Sequence, residues 1–544
     1  MQTAMASNPG PSKRKRSRFA CEPCRERKRK CNGESPCSTC SSWGYDCYYQ
    51  NERRMKPKPT GIMVDPPAIP GPSPEHAGSY TESLEANSGA AFVRKIGLKM
   101  DPANAPKLNL FGWNVGRRNP PSGLTPGTVL AVPIVDILSL NHMKTLANVY
   151  FAKVDPCYGF IDSAMFFRRL EVRWQSSAEG DTYDGVLAGV AALGALFSEI
   201  TINITEAHLV ELTRSITDTH IGSAAPTVEV VTAWALRVIY MRMTAPPYPT
   251  WIASSTLMHL IEASKLHQYF SCDSYDLDTR QRLIGVAQHL NLWISYDLGL
   301  SRVSFPHEAV ALPSPRPGDF TVELLGLLPL STSLGPENRR QDEEIEEFLL
   351  QTLSRNHTQP PSILAQCNLV LCLLRRLHMR NLMTSPATME RVVEQLKRSL
   401  GAARRMASDC SPWQHVANVP FQMISILLEM DTSAALELLP EAMQTLKLVS
   451  ATYDTESMRE AYGTARLLIL LYQRRRRSDT RLLSGLLEDH HEPSTTESPV
   501  QPMIPTSDEV SWLEGLVADV PSLHGLDFGQ FLQLSPNTPG MWGR

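Results

Sequence analysis

Cys21, Cys24, Cys31, Cys37, Cys40 and Cys47 are spaced C-x2-C-x6-C-x5-C-x2-C-x6-C, the same half-pattern written twice. Crowded thiols pair as disulfides where the surroundings oxidise and ionise onto a metal where they do not. Met1 to Gly10 lacks the apolar core of a secretory signal and Lys13-Arg14-Lys15-Arg16 follows, so a reducing compartment and metal binding are expected. Thiolates are soft ligands that select zinc, and a C-x2-C pair sets two sulfurs about one helical turn apart, within reach of one tetrahedral ion. Two separate four-cysteine sites would need eight sulfurs. Six leave either one ion incompletely held or two sulfurs bridging two ions, and the repeat favours bridging.

Between the second and third cysteines runs Arg25-Glu26-Arg27-Lys28-Arg29-Lys30, five of six residues cationic. Glu22 and Pro23 suit the first turn of a helix and Asn32-Gly33 can close one, so a helix from Glu22 to Lys30 is expected, clamped at both ends by metal. Such a helix fits the major groove of double-stranded DNA, where Lys and Arg meet the O6 and N7 acceptors of guanine. The charge distribution agrees. Residues 1–60 carry fourteen Lys/Arg against five Asp/Glu, a net of +9, whereas the whole chain is −3, leaving −12 on the remainder. A cationic head on an acidic body points to a polyanion at one end only, with phosphate contacts supplying much of the affinity. Lys13, Arg14, Lys15 and Arg16, continued by Arg18, read as a nuclear import signal, which places the protein in the nucleus.

These residues resemble the fungal zinc binuclear cluster family of transcription regulators. The likeness extends to the basic hexad, to Pro36 directly before the fourth cysteine, and to Gly44 and Tyr49 flanking the last, with no departure in the segment. The resemblance implies two zinc ions sharing six thiolates, with Cys21 and Cys37 as the bridges. One ion would be held by Cys21, Cys24, Cys31 and Cys37, the other by Cys37, Cys40, Cys47 and Cys21. It implies CGG-type sites, with Arg27 and Lys28 at the base-contacting positions and Arg25 and Lys30 nearer the backbone. It also implies regulation of RNA polymerase II genes, with an activator of a secondary-metabolite gene cluster as the preferred reading. Symmetric dimers in this family often carry a coiled coil after the cluster. No sustained heptad pattern occurs between Gln50 and Met100, which leaves monomeric binding, or a homodimer through the body, open.

The elements around this module follow from composition. A length of 544 residues allows three or four domains. Residues 1–17 form a basic tail, 18–50 a zinc-stabilised module with two short helices, 51–90 a Pro/Gly/Ser-rich linker and 91–131 a connecting segment; the apolar stretch 89–118 is expected to pack on the body. Residues 132–481 are expected to be a large all-α domain, with helical spacing over 134–151, 184–200, 228–243, 253–266, 279–300, 363–382, 389–406, 421–430 and 461–472. Within it Tyr150 to Pro156 and Arg280 to Leu283 resemble the helical regulatory domain that accompanies this cluster. The weakly apolar run 185–197 is too short for a bilayer, reads as a core helix, and gives no membrane partner.

Residues 482–544 carry no Lys or Arg before Arg544, and Asp508, Glu509, Glu514, Asp519 and Asp527 alternate with Val510, Trp512, Leu513, Leu516, Leu523, Phe528, Phe531 and Leu532. This composition reads as a disordered acidic activation tail that engages coactivators of the transcription machinery, or else as a last amphipathic helix over 510–520.

No Gly-rich phosphate loop, G-x-S-x-G elbow or H-E-x-x-H helix is present, and no enzyme is expected. Cys157, Cys272, Cys367, Cys372 and Cys410 read as buried, inert thiols, and Glu488 to Glu492 as solvated chain. Arg474 to Arg477 suit a helix C-terminus as well as a second import signal. Two rival functions remain: a helical scaffold that uses the zinc module as a protein-binding surface, and a repressor.

Overall fold

In a computed structural model the chain separates into two compact units, Met1–Pro72 and Ser73–Arg544. The residues described are 20–26, 29–32, 34, 36–43 and 47 in the first, and 87–102, 105, 114–116, 132–176, 180–198, 203–221, 225–267, 276–305, 312–335, 344–382 and 384–488 in the second. Every regular element among the described residues is an α-helix.

The first unit holds α1 (Glu22–Glu26) and α2 (Ser38–Trp43). Each begins immediately after a cysteine whose carbonyl accepts the first helical hydrogen bond: Arg25 N to Cys21 O at 3.0 Å and Ser41 N to Cys37 O at 2.9 Å. Helix α1 ends at Glu26 instead of reaching Lys30. The Arg29 amide donates to the Cys24 carbonyl at 2.9 Å and Arg29 and Lys30 are not helical, because the chain must turn to bring the Cys31 sulfur within 3.8 Å of that of Cys21.

The second unit comprises α3 (Gly89–Met100), α4 (Ile134–Ile137), α5 (Leu140–Lys153), α6 (Ser163–Gln175), α7 (Tyr183–Leu196), α8 (Ile204–Thr219), α9 (Val228–Thr244) and α10 (Pro247–Ala263). It continues with α11 (Leu277–Leu298), α12 (Thr321–Leu325), α13 (Leu328–Thr332), α14 (Ile345–Ser354), α15 (Pro360–Met379), α16 (Pro386–Ser408), α17 (His415–Met430), α18 (Ser433–Tyr453) and α19 (Glu456–Glu488). The expected helix over 134–151 is two helices. The Ser139 hydroxyl accepts from the His142 amide at 3.3 Å and starts α5 afresh, a cap worth about 1 kcal/mol. Helix α7 is buried on every side, and a Cβ at Gly194 would lie 2.2 Å from the Leu146 carbonyl oxygen, so glycine is what lets α5 and α7 approach. No helix of the described residues is long and apolar enough to cross a membrane.

The packed body starts before α3, within the stretch 51–90 read as linker. Asn87 and Ser88 are buried; Arg375 donates to the Asn87 carbonyl and Arg376 to its side-chain oxygen, both at 2.9 Å, and Ser88 Oγ donates to the Asp297 carbonyl at 2.8 Å. Phe92, Val93 and Ile96 of α3 are then buried, with α17 and α19 among the helices that α3 packs against. At the other end α19 continues past 481 to Glu488, leaving Leu482, Leu483 and Leu486 exposed. Cys157, Cys367 and Cys372 are buried, Cys410 is half-buried at a positive φ of 49° after α16, and Cys272 lies outside the described residues. So do the 510–520 alternative and the rest of the acidic tail.

The structure brings together the two short phrases that resemble the helical regulatory domain. Arg282, fully buried, donates to Asp278 at 2.8 Å, to Asp319, to the Ser314 carbonyl at 2.5 Å and to the Gly159 carbonyl at 3.4 Å. Thr321 locks the same place, its hydroxyl accepting from the Gly159 amide at 2.9 Å, while the Phe320 amide donates to the Pro156 carbonyl at 2.9 Å. Asp155 sits beside this node. Burial first, then the Asp319 carboxylate, push it up to about 7 against the opposing pull of Arg316 and Arg282, and its Oδ1 has no hydrogen-bond partner.

The folded body therefore binds the Asp155 proton more tightly than the unfolded chain, whose carboxyl titrates near 3.8. That contribution is fully present below the unfolded value and is lost as pH rises through about 7. Asp155→Asn is expected to raise the melting temperature by an amount that grows from acid to neutral pH and levels off above it, reaching about 3 °C or more in mild alkali. A difference independent of pH, in melts followed by circular dichroism, would overturn this account.

Candidate metal centre and nucleic-acid interface

The two halves of the first unit superpose in sequence at a constant offset: Cys21 with Cys37, Cys24 with Cys40 and Cys31 with Cys47. The structure repeats the offset in its bonding. The Cys21 amide donates to Cys31 Sγ at 3.5 Å and the Cys37 amide to Cys47 Sγ at 3.2 Å. Each half thus folds its third sulfur back onto the amide of its first.

Four of the six cysteines, Cys21, Cys24, Cys37 and Cys40, are buried and form the core cluster of this unit among the described residues, where Pro23 is buried as well. Two sets of four sulfurs gather with all members of a set within 4.8 Å of one another: Cys21, Cys24, Cys31 and Cys37, and Cys21, Cys37, Cys40 and Cys47. Both sets contain Cys21 and Cys37, whose sulfurs are 3.6 Å apart; Cys24 to Cys37 and Cys21 to Cys40 are also 3.6 Å. A tetrahedral ion with zinc–sulfur bonds of about 2.3 Å requires sulfurs about 3.8 Å apart. The donor set and its spacing fit two such ions.

Charge makes the same demand. Burial pushes the thiols of Cys21, Cys24 and Cys40 up, that of Cys40 to about 12. At Cys37 burial acts in the same direction, but the Cys40 amide, donating at 3.3 Å, and the neighbouring thiols outweigh it and lower Cys37 to about 6. Thiols packed this closely cannot ionise together without cationic charge among them, and two divalent ions reduce six thiolate charges to about −2.

Around the cluster, Arg25 lies on α1, exposed and paired with Glu22 at 3.0 Å. Lys30 is exposed, and its carbonyl accepts from the Thr39 hydroxyl at 2.7 Å. Arg27 and Lys28 lie outside the described residues, as do Lys13, Arg14, Lys15 and Arg16. Sequence reasoning missed the cross-links between the halves. Thr39 holds Lys30, and Asn32 Oδ1 accepts from the Ser38 amide at 3.1 Å, fixing the start of α2. In the sequence Asn32 reads only as a helix stop, and no spacing there points to its bond with α2.

Loss of a sulfur common to both sets should differ from loss of one confined to a single set. Cys37→Ser is expected to strip the purified full-length chain of nearly all zinc, whereas Cys47→Ser retains roughly half, measured as metal per chain by atomic emission. Equal losses would overturn the shared role of Cys37.

Comparison with known proteins agrees with this geometry. Residues 19–56 match the model of the fungal Zn(2)-Cys(6) binuclear cluster domain. The chain is 39% identical to Protein RDR1 of Gibberella zeae over 96% of its own length and 98% of that protein. It is 34% identical to the transcription factor kojR of Aspergillus oryzae, over 89% of this chain and 88% of that protein. A more distant relative, the citrinin biosynthesis transcriptional activator mrl3 of Monascus ruber, is 22% identical over 53% of this chain and 62% of its own. With a cluster domain that binds two zinc ions at its head and similarity to these regulators along its length, the chain belongs to the fungal zinc binuclear cluster transcription factors.

Proposed function

We propose that this transcription factor acts in the nucleus as a sequence-specific activator that recognises CGG-type sites through the segment between Cys24 and Cys31. The observation that supports this reading most is the pair of overlapping four-sulfur sets directly beside a run of five cations in six residues. In this reading one zinc is held by Cys21, Cys24, Cys31 and Cys37 and the other by Cys37, Cys40, Cys47 and Cys21. Bound zinc neutralises the thiolates and so fixes where α1 and the chain after it point. Arg27 and Lys28 then meet guanine edges, and Arg25 and Lys30 the phosphates. Lys13, Arg14, Lys15 and Arg16 serve import. The Monascus ruber relative, an activator of citrinin biosynthesis, supports regulation of a secondary-metabolite gene cluster. The chain is not an enzyme in this reading, and residues 482–544 recruit coactivators.

In selection from random duplex DNA, the zinc-loaded full-length chain is expected to enrich CGG triplets, and Lys28→Ala to lose that enrichment while keeping its zinc. Binding should fall steeply as salt rises, since several phosphates are neutralised together. No enrichment with zinc bound would favour the scaffold reading. Activation is tested separately: residues 482–544 fused to an unrelated DNA-binding domain are expected to induce a reporter. A silent fusion would leave the repressor reading standing.

A further inference from the structure

Helix α19 packs on the body as far as Leu471, which is buried, and then leaves it: residues 475–486, more than three turns of helix, are exposed on all sides. Leu482, Leu483 and Leu486 lie one and four residues apart, so they share one side of this stretch, at 68%, 63% and 64% exposure. A Cβ at Gly485 would meet nothing within 4 Å, and the glycine costs the helix about 1 kcal/mol that no tertiary contact offsets. Three adjoining leucines held in water on such a helix form a surface without its cover.

Charge selects the occupant. From Arg474 to Leu486 the helix carries five arginines and one acid, Asp479, a net of +4. Arg474 and Arg476 reach Asp101 and Asp431 of the body at 3.8 and 3.1 Å, and Arg475 reaches Asp479 at 3.9 Å, whereas Arg477 and Arg481 enter no ion pair among the described residues. A second copy of the same helix would set +4 against +4. An acidic, apolar segment fits better, and the chain supplies one. Residues 508–520 hold Asp508, Glu509, Glu514 and Asp519 and no cation, a net of −4, while Val510, Leu513, Val517 and Val520 recur at helical spacing. Nineteen residues join Glu488 to Asp508, a span on the order of 25 Å, against about 18 Å for the exposed stretch. The tether lets the segment return to its own helix at an effective concentration of about 1 mM, so a contact with a dissociation constant of only about 0.1 mM is closed roughly ten times as often as open. We propose that residues 508–520 dock as an amphipathic helix along Leu482, Leu483 and Leu486, with Arg481 beside their carboxylates. The contact stands on these residues and not on the activating role proposed for the tail.

The test is amide hydrogen exchange, followed by mass spectrometry, on the zinc-loaded full-length chain and on variants that alter one segment and are read in the other. Leu482→Asp with Leu486→Asp, both at exposed positions that leave the body's core untouched, should speed exchange over 508–520 by about tenfold. Leu513→Asp with Val517→Asp should speed exchange over 475–486 by a similar factor. Because each readout lies in the unaltered segment, a change in local helix propensity cannot imitate it. Arg481→Glu should speed exchange over 508–520 a few-fold at low salt and less at high salt. Exchange in either segment that ignores the leucine and valine substitutions in the other would overturn the contact, and an Arg481→Glu chain that exchanges like the parent would overturn the part given to charge. Protection of 475–486 that disappears on dilution, together with a mass of two chains by sedimentation, would make a second copy the occupant and overturn the proposal.

Discussion

Six buried or half-buried thiols within reach of one another are an unstable arrangement unless something cationic sits among them. Desolvation opposes ionisation at the buried Cys21, Cys24, Cys37 and Cys40, each thiolate opposes the next, and among these four hydrogen bonds outweigh burial at Cys37 alone. Apart from Pro23, the buried residues of the first unit among those described are cysteines. Metal binding and folding are therefore one event in this module. Sharing Cys21 and Cys37 is what makes it economical in sequence: two sets of four are built from six residues, and the two halves are drawn together by their common sulfurs as well as by Thr39 and Asn32.

The second unit rests on the opposite solution, a continuous apolar cluster that runs from Phe92 to Leu468. Its few buried charges are placed where separate stretches of chain must meet. Arg282 gathers Gly159, Ser314 and Asp319 onto α11, and Arg375 and Arg376 on α15 grip the chain in front of α3. Buried charges of this sort, ion-paired at Arg282 and held by carbonyl and carboxamide oxygens at Arg375 and Arg376, add little net stability, because desolvation offsets most of the gain; removing a partner, however, leaves a buried charge less compensated and costs several kcal/mol. These arginines thus fix which segments meet more than how tightly the body holds.

The metal framework was legible because cysteine spacing is a covalent pattern that does not depend on the fold, and α7 because an apolar run bounded by polar residues has only one place to go. The reach of α1 was not legible: propensity favours carrying the helix on to Lys30, but the need to return Cys31 to Cys21 overrides it. Helices α6 and α8 were missed for a related reason. They fully bury only a narrow stripe, Phe166 and Leu170 in α6, and charged and polar residues interrupt their apolar positions, so a reading that looks for apolar runs passes over them. Helix α17 was expected to start after Pro420 yet runs through it from His415; nearly all of its residues are buried, and tertiary packing outweighs the roughly 3 kcal/mol penalty of an interior proline. For Arg282, nothing short of the fold supplies Asp319 as its partner.

Charge divides the chain in the same way as structure. With +9 on the first sixty residues and −12 on the rest, a polyanion attracts the head and repels the body, so non-specific association is confined to the part that can read sequence. A head of that charge density cannot also carry a large apolar core, because so short a segment that spends many of its positions on Lys and Arg has too few left to bury. Zinc resolves the conflict. It supplies, through six cysteines, the cohesion that apolar burial supplies elsewhere, and leaves the remaining positions available for cations; the metal centre and the basic surface are two consequences of one demand on a very small domain.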